Sequence, residues 1–166
     1  ERRDPSGEFL YSVSLPQGTY RVTLTLGDKR SAGRTTVKAE SRRLFLRDVA
    51  TRRGQLVTRT FLVDVRDARL PRQPAGAPRF GQAVLLDERD LASFSWDDKL
   101  TLEFLGQPRV AAIHIEPADA PRLFLAGDST VADQYTEPFT SWGQMLPAML
   151  DDHLVVANYA KSGATM

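Results

Sequence analysis

A chain of 166 residues, 42% hydrophobic and 26% charged with a formal net charge of +1, has the size of one ordinary domain, or of one domain plus part of another. That balance excludes general disorder, and no stretch approaches the ~18 apolar residues of a membrane span. Without cysteine there is neither a disulfide framework nor a thiolate metal site. The small total charge conceals a contrast: residues 1–117 carry 20 basic against 15 acidic side chains, and residues 118–166 carry 2 against 6. Two differently built parts are expected, 1–117 and 118–166.

The first part reads as a succession of strands. Tyr20, Val22, Leu24 and Leu26 alternate with Arg21, Thr23 and Thr25, the period of a half-buried strand. The turn at Pro16-Gln17-Gly18 makes residues 7–15 its expected hairpin partner. Further strands are expected at 35–39, 43–49, 55–65, 99–105 and 109–116, the last two rich in Leu, Phe and Ile. Arg21, Arg34, Arg47, Arg59 and Arg66 alternate with apolar neighbours and read as the solvated face of a sheet. A nucleic-acid surface would need a dense basic patch with aromatics, so no nucleic-acid partner is expected. Residues 66–82 hold Pro71, Pro74, Gly76, Pro78 and Gly81 and form a long internal connection, of the kind that is usually functional or mobile. Trp96 and Phe94 precede the 99–105 strand; they can stack on a sugar ring or pack against the following part. His114 is out of register with Ile113 and Ile115 and is expected to face solvent, without a metal. Many short strands divided by Gly, Pro and Asp indicate an antiparallel all-β sandwich over 1–117.

The second part changes style after the proline-bracketed linker at 117–121. Residues 122–126 are an apolar run without alternation, as in a parallel strand buried on both faces, and they end in Gly127-Asp128-Ser129-Thr130. Trp142, Met145, Leu146 and Met149 stand at helical spacing behind Ser141 as N-cap, with Pro147 keeping the helix short. A second apolar strand at 153–157 leads into the loop 158–165 around Gly163. Strand, helix, strand with polar motifs at both strand ends is the start of a doubly wound α/β sheet, which binds ligands outside the carboxyl ends of its strands.

That placement has chemical content. Gly127 lets the chain turn sharply, and Ser129 then sits exposed at the rim with its own N–H available to an acyl oxygen. The loop around Gly163 can offer a second N–H, because glycine permits close backbone approach. Two converging N–H groups make an oxyanion hole, and a serine nucleophile additionally needs a base. By itself the tetrapeptide at 127–130 is equally compatible with a simple turn.

Three longer phrases carry a resemblance: residues 124–131 (Phe-Leu-Ala-Gly-Asp-Ser-Thr-Val), 142–147 (Trp-Gly-Gln-Met-Leu-Pro) and 156–163 (Val-Ala-Asn-Tyr-Ala-Lys-Ser-Gly). They look like the opening of rhamnogalacturonan acetylesterase-type members of the SGNH/GDSL hydrolases. Residues 1–117 resemble the galactose-binding-like jelly-roll sandwich that precedes some carbohydrate esterases, through Gly18-Thr-Tyr-Arg-Val-Thr and Asp98-Lys-Leu-Thr-Leu-Glu-Phe. The resemblance implies an all-β sandwich followed by the first part of an α/β SGNH-hydrolase domain. It implies Ser129 as nucleophile, Gly163 as an oxyanion donor and Asp128 as a motif residue holding the turn. It further implies an O-acetylated plant cell-wall polysaccharide or oligosaccharide as substrate, rhamnogalacturonan or xylan in type, with no cofactor, metal or membrane partner.

The same resemblance requires a later Gly-x-Asn-Asp asparagine and an Asp-x-x-His base, and neither motif occurs in these 166 residues. Asp151-Asp152-His153 has the wrong spacing and lies at the start of the second strand, opposite Ser129. The remaining site residues are therefore expected in further polypeptide of the same protein, and the 166 residues alone are expected to be inactive. Residues 118–166 alone would leave the apolar faces of Leu123, Leu125, Val155 and Ala157 without cover, so they are expected either to be covered by a further bound polypeptide or to lean on the sandwich or on a neighbouring molecule. The alternative is a non-catalytic carbohydrate-binding module with a truncated hydrolase tail. The chain opens on Glu1 without an apolar signal core, so any signal is expected to have been removed or never included. The absence of cysteine accords with a secreted or periplasmic setting.

Overall fold

The computed structural model describes residues 2–3, 7–69 and 83–164. Most of the proline-rich connection singled out above, residues 70–82, lies outside the described residues. No helix of the described residues is long and apolar enough to cross a membrane.

The strands in chain order are β1 (Arg2–Arg3), β2 (Phe9–Ser14), β3 (Gly18–Leu26), β4 (Gly33–Ala39), β5 (Arg43–Thr51), β6 (Val57–Val65), β7 (Lys99–Gln107), β8 (Val110–Pro117), β9 (Arg122–Leu125) and β10 (Val155–Asn158). One antiparallel sheet runs β1-β2-β7-β4-β5 and a second runs β6-β3-β8; β9 and β10 form a separate parallel pair. The alternation in β3 has the expected consequence: Tyr20, Val22, Leu24 and Leu26 are buried and Arg21, Thr23 and Thr25 are not. They meet Phe61, Val63 and Val65 of β6 and Val37, Phe45, Leu100, Leu102 and Phe104 of the other sheet in one core. Phe9 stacks on Phe104, and Phe45 meets Phe61 at a tilt of 32°, each pair at 4.6 Å between centroids. Burying a side chain such as Leu24 contributes about 1.5–3 kcal/mol, so this shared core dominates the stability of the sheets.

The hairpin expected between residues 7–15 and β3 does not form. β2 pairs with β7, Phe9 opposite Phe104 and Ser14 opposite Lys99, while β3 pairs with β6 and β8. The turn at 16–18 therefore crosses from one sheet to the other, held by the Tyr20 hydroxyl donating to the Pro16 carbonyl at 2.8 Å. Alternation gives the buried face of a strand but not its neighbour, which here lies almost ninety residues away.

The fold class expected from the sequence, a galactose-binding-like jelly-roll sandwich running into an α/β hydrolase, is corrected. The described residues are mostly strand in antiparallel sheets, and helix is confined to three single turns: α1 (Glu88–Leu91), α2 (Trp142–Met145) and a 3-10 turn at Leu146–Met149. An α/β unit needs long helices against its parallel strands. Here residues 126–141 fold as turns, and Pro147 sits within the first positions of the 3-10 turn and ends regular helix. The apolar stripe read for the helix holds only in its middle: Met145 and Leu146 are half-buried, Leu146 against Leu125, Val131 and Val156, whereas Trp142 and Met149 are exposed and Gly143, Gln144 and Pro147 are buried.

The short parallel pair is better covered than residues 118–166 alone could achieve. Leu125, Val155 and Ala157 are buried, and only Leu123 of the four residues named above stays partly exposed. The cover comes from the first part: β10 lies against β6, and α2 and the 3-10 turn lie against β5. Leu62, on the face of β6 turned away from the main core, is buried with them.

Candidate functional site

β9 delivers Leu125 to the rim of the molecule, and the chain turns at once. A Cβ on Gly127 would stand 2.7 Å from Val131 Cγ2, so only glycine lets the returning turn pack this closely. The Asp128 carbonyl accepts from the N–H groups of Val131 (3.1 Å) and Ala132 (2.9 Å). Asp128 Oδ1 accepts from the Thr130 N–H at 3.0 Å and its hydroxyl at 2.8 Å. These bonds hold the Asp128 carboxyl below the usual carboxylate range, the backbone N–H contributing most. Ser129 occupies the exposed tip of this turn.

Beside it, β10 runs parallel with Asn158 opposite Leu125 and continues into the turn bearing Gly163. Gly163 has φ +82° with nothing near the position of a Cβ, a left-handed conformation at an open surface. The two turns are stitched together. Tyr159 N–H donates to the Leu125 carbonyl at 2.9 Å and Lys161 N–H to the Gly127 carbonyl at 3.0 Å. Gln134 Nε2 donates to the Ser129 carbonyl at 2.8 Å and reaches the Ser162 hydroxyl at 3.4 Å. Ser129, Asp128 and Gly163 thus lie on joined turns at one end of the parallel pair.

Below these turns lies a buried polar layer. Asn158 Nδ2 donates to the Val131 carbonyl at 2.8 Å and to Asp133 Oδ1 at 2.9 Å. Asp133 Oδ2 takes Arg43 Nε at 2.9 Å and stands 3.5 Å from Arg66 Nη2. Arg43 and Arg66 are 1% and 2% exposed, so Arg66 does not belong to the solvated face expected for it. Burial and the Arg43 charge push the Arg66 guanidinium down to about 10. Its Cζ lies 4.3 Å from the Trp96 ring centroid and 4.7 Å from that of Tyr159, while Trp96 meets Tyr159 edge-on at 5.9 Å. Trp96 is thereby engaged in packing against the second part, and Phe94 beside it remains exposed.

No histidine accompanies Ser129. His114 is exposed on β8, 3.4 Å from Glu116. His153 is exposed in the turn leading into β10, at the Arg122 end of the pair and away from Ser129. Among the described residues no group of three or more acidic or histidine side chains could hold a metal ion. Sequence reading missed Gln134, Asp133, Asn158, Arg43 and Arg66. Only the Ser141-x-x-Gln144 capping box carried a signal: Gln144 N–H donates to Ser141 Oγ and Ser141 N–H to Gln144 Oε1, each at 3.2 Å.

No family model matches the chain. It is 29% identical over 157 residues to the uncharacterized esterase YxiM of Bacillus subtilis (strain 168), covering 92% of this chain and 34% of that protein. It is 41% identical over 46 residues to the rhamnogalacturonan acetylesterase RhgT of the same organism, covering 26% of this chain and 20% of that protein. A crystal structure of the Bacillus subtilis YxiM protein matches 93% of this chain and 37% of its own at 25% identity, with a TM-score of 0.29, too low to carry an argument. The chain spans about a third of the length of the first of these relatives. Both curated relatives carry esterase names, and the chain is similar to part of an esterase.

Proposed function

We propose that this chain supplies the nucleophile turn of a serine carbohydrate esterase of the SGNH/GDSL kind, acting on O-acetyl groups of a plant cell-wall polysaccharide of rhamnogalacturonan or xylan type. The observation that carries the reading is the exposed Ser129 on a turn tied to the Gly163 turn by Lys161 N–H and Gln134 Nε2. In this reading Ser129 Oγ attacks the acetyl carbon and its proton passes to a base. The oxygen of the tetrahedral species is met by the N–H groups of Ser129 and Gly163. Collapse releases the sugar hydroxyl, which takes up the proton, and water then hydrolyses the acetyl-enzyme to acetate. Asp128 stays outside the chemistry and holds the turn through Thr130.

With His114 and His153 both remote, the base comes from polypeptide beyond these 166 residues, in keeping with the greater length of the relatives. A polysaccharide substrate accords with an exported protein. The test is acetate release from acetylated pectin and xylan by the whole protein and its Ser129→Ala variant. Loss of the nucleophile should lower kcat by about 10⁴ or more with little change in melting temperature. Retention of a tenth of the activity would remove Ser129 from the mechanism.

A further inference from the structure

The connection between β4 and β5, residues 40–42, does not look like an ordinary hairpin turn. Such turns are usually exposed and use Gly or Asn where φ is positive. Here Glu40 and Arg42 adopt φ +56° and +62°, and Glu40 and Ser41 are buried. Non-glycine residues held in this region point to a constraint from their surroundings. The constraint is visible from both sides. From the sheet side, Glu40 N–H donates to the Thr101 carbonyl at 2.8 Å, and Glu40 Oε1 accepts from the Thr101 N–H at 3.1 Å.

From the other side, three consecutive residues grip the segment that follows Ser129. The Ser41 carbonyl accepts from Gln144 Nε2 at 2.9 Å. Arg42 Nη1 donates to the carbonyls of Gln134 and Phe139, both at 3.0 Å, and Arg42 Nη2 pairs with Glu137. Arg43 Nε donates to Asp133 Oδ2, whose partner oxygen is held by Asn158 from β10. Gln134, fixed through its carbonyl by Arg42 and Gln144, is the residue whose side chain bonds the Ser129 carbonyl and reaches Ser162. The path from the turn to Ser129 is thus one residue long.

We propose that residues 41–43 are a positioning element for Ser129, acting through Asp133 and Gln134, so that the N-terminal sheets belong to the catalytic unit and are not an appended binding module. The inference rests on the esterase reading above. Arg42 and Arg43 touch no reacting atom; they set where Ser129 stands relative to the Gly163 turn. A displacement of about 1 Å at a reacting group costs up to about 10²-fold in rate, whereas binding of a small ester is little affected.

The experiment uses the whole protein with p-nitrophenyl acetate, and the rate of covalent labelling by a serine-directed fluorophosphonate as a second readout. Arg42→Ala should lower kcat and the labelling rate tenfold or more, with KM within about threefold and unchanged far-UV circular dichroism. Arg42→Lys, which restores one donor but not the fork, should fall between the two. Arg47→Ala, which removes an exposed arginine of the adjoining strand β5, should behave as wild type. Should Arg42→Ala not fold, Arg43→Lys, which keeps the buried charge and loses the fork, is judged by the same tenfold criterion. Folded variants that lose less than tenfold while Ser129→Ala is inactive overturn the positioning role alone. An active Ser129→Ala overturns the esterase reading and this inference with it.

Discussion

Glu40 shows how one side chain can tie stability to pH. Burial pushes its carboxyl up to about 8, with Arg43 and the Thr101 N–H opposing the shift. The unfolded chain releases this proton near the ordinary glutamate value and the folded chain only near 8, so the folded state binds more protons in between. Its contribution is therefore fully present at acid pH and declines as pH rises from about 5 to 8. Asp64, also raised by burial, acts in the same direction. The lowered carboxyls of Asp28, Asp67, Asp87 and Asp128 act in the opposite direction, but below about pH 4. Glu40→Gln keeps an acceptor for Thr101 and removes the titration. Melting temperatures measured between pH 5 and 8 should fall with pH in the wild type and fall less steeply in this variant, Asp64 retaining its own part.

Ser141 is the element-scale counterpart, because one hydroxyl serves two turns. Its Oγ caps α2 by accepting from Gln144 N–H and donates to the Val131 carbonyl at 3.0 Å, behind the Ser129 turn. Ser141→Ala leaves the Gln144 N–H unpaired in a buried setting, while the Val131 carbonyl keeps Asn158 Nδ2 as donor. The change should cost about 1–2 kcal/mol, read as a lowered denaturant midpoint at constant slope. This cap was legible in the sequence, as were the strands whose Val, Leu and Phe alternate, because both signals are local. The pairing of β2 with β7 was not legible, nor were the buried roles of Arg43 and Arg66. Period-two alternation sends a charged residue outward by default, and the residue that reverses this, Asp133, stands 67 positions beyond Arg66. The tip position of Ser129 was legible from Gly127 and the apolar run before it; Gln134, which bonds its carbonyl, sat in a stretch without periodicity.

At the scale of the whole molecule, the charge contrast between residues 1–117 and 118–166 takes on a second meaning. It reads in sequence as a sign of two differently built parts, yet the opposite charges meet. Asp133 pairs with Arg43 and Arg66, Glu137 with Arg42 and Lys38, and Asp152 with Arg21. The apolar contacts follow the same junction, with β10 against β6 and the short helical turns against β5. The second part is therefore seated on the sheets, one of the two arrangements expected for it, and its two polar turns project from that seat. Every role proposed for these turns depends on Ser129 being the group that becomes acylated. Incubating the whole protein with a fluorophosphonate and mapping the adduct by peptide mass spectrometry tests this directly. One stoichiometric adduct on Ser129 is expected, with acetyl-ester hydrolysis lost in step with its formation. Hydrolysis that persists after Ser129 is fully modified, or inactivation by an adduct on another serine, would contradict it.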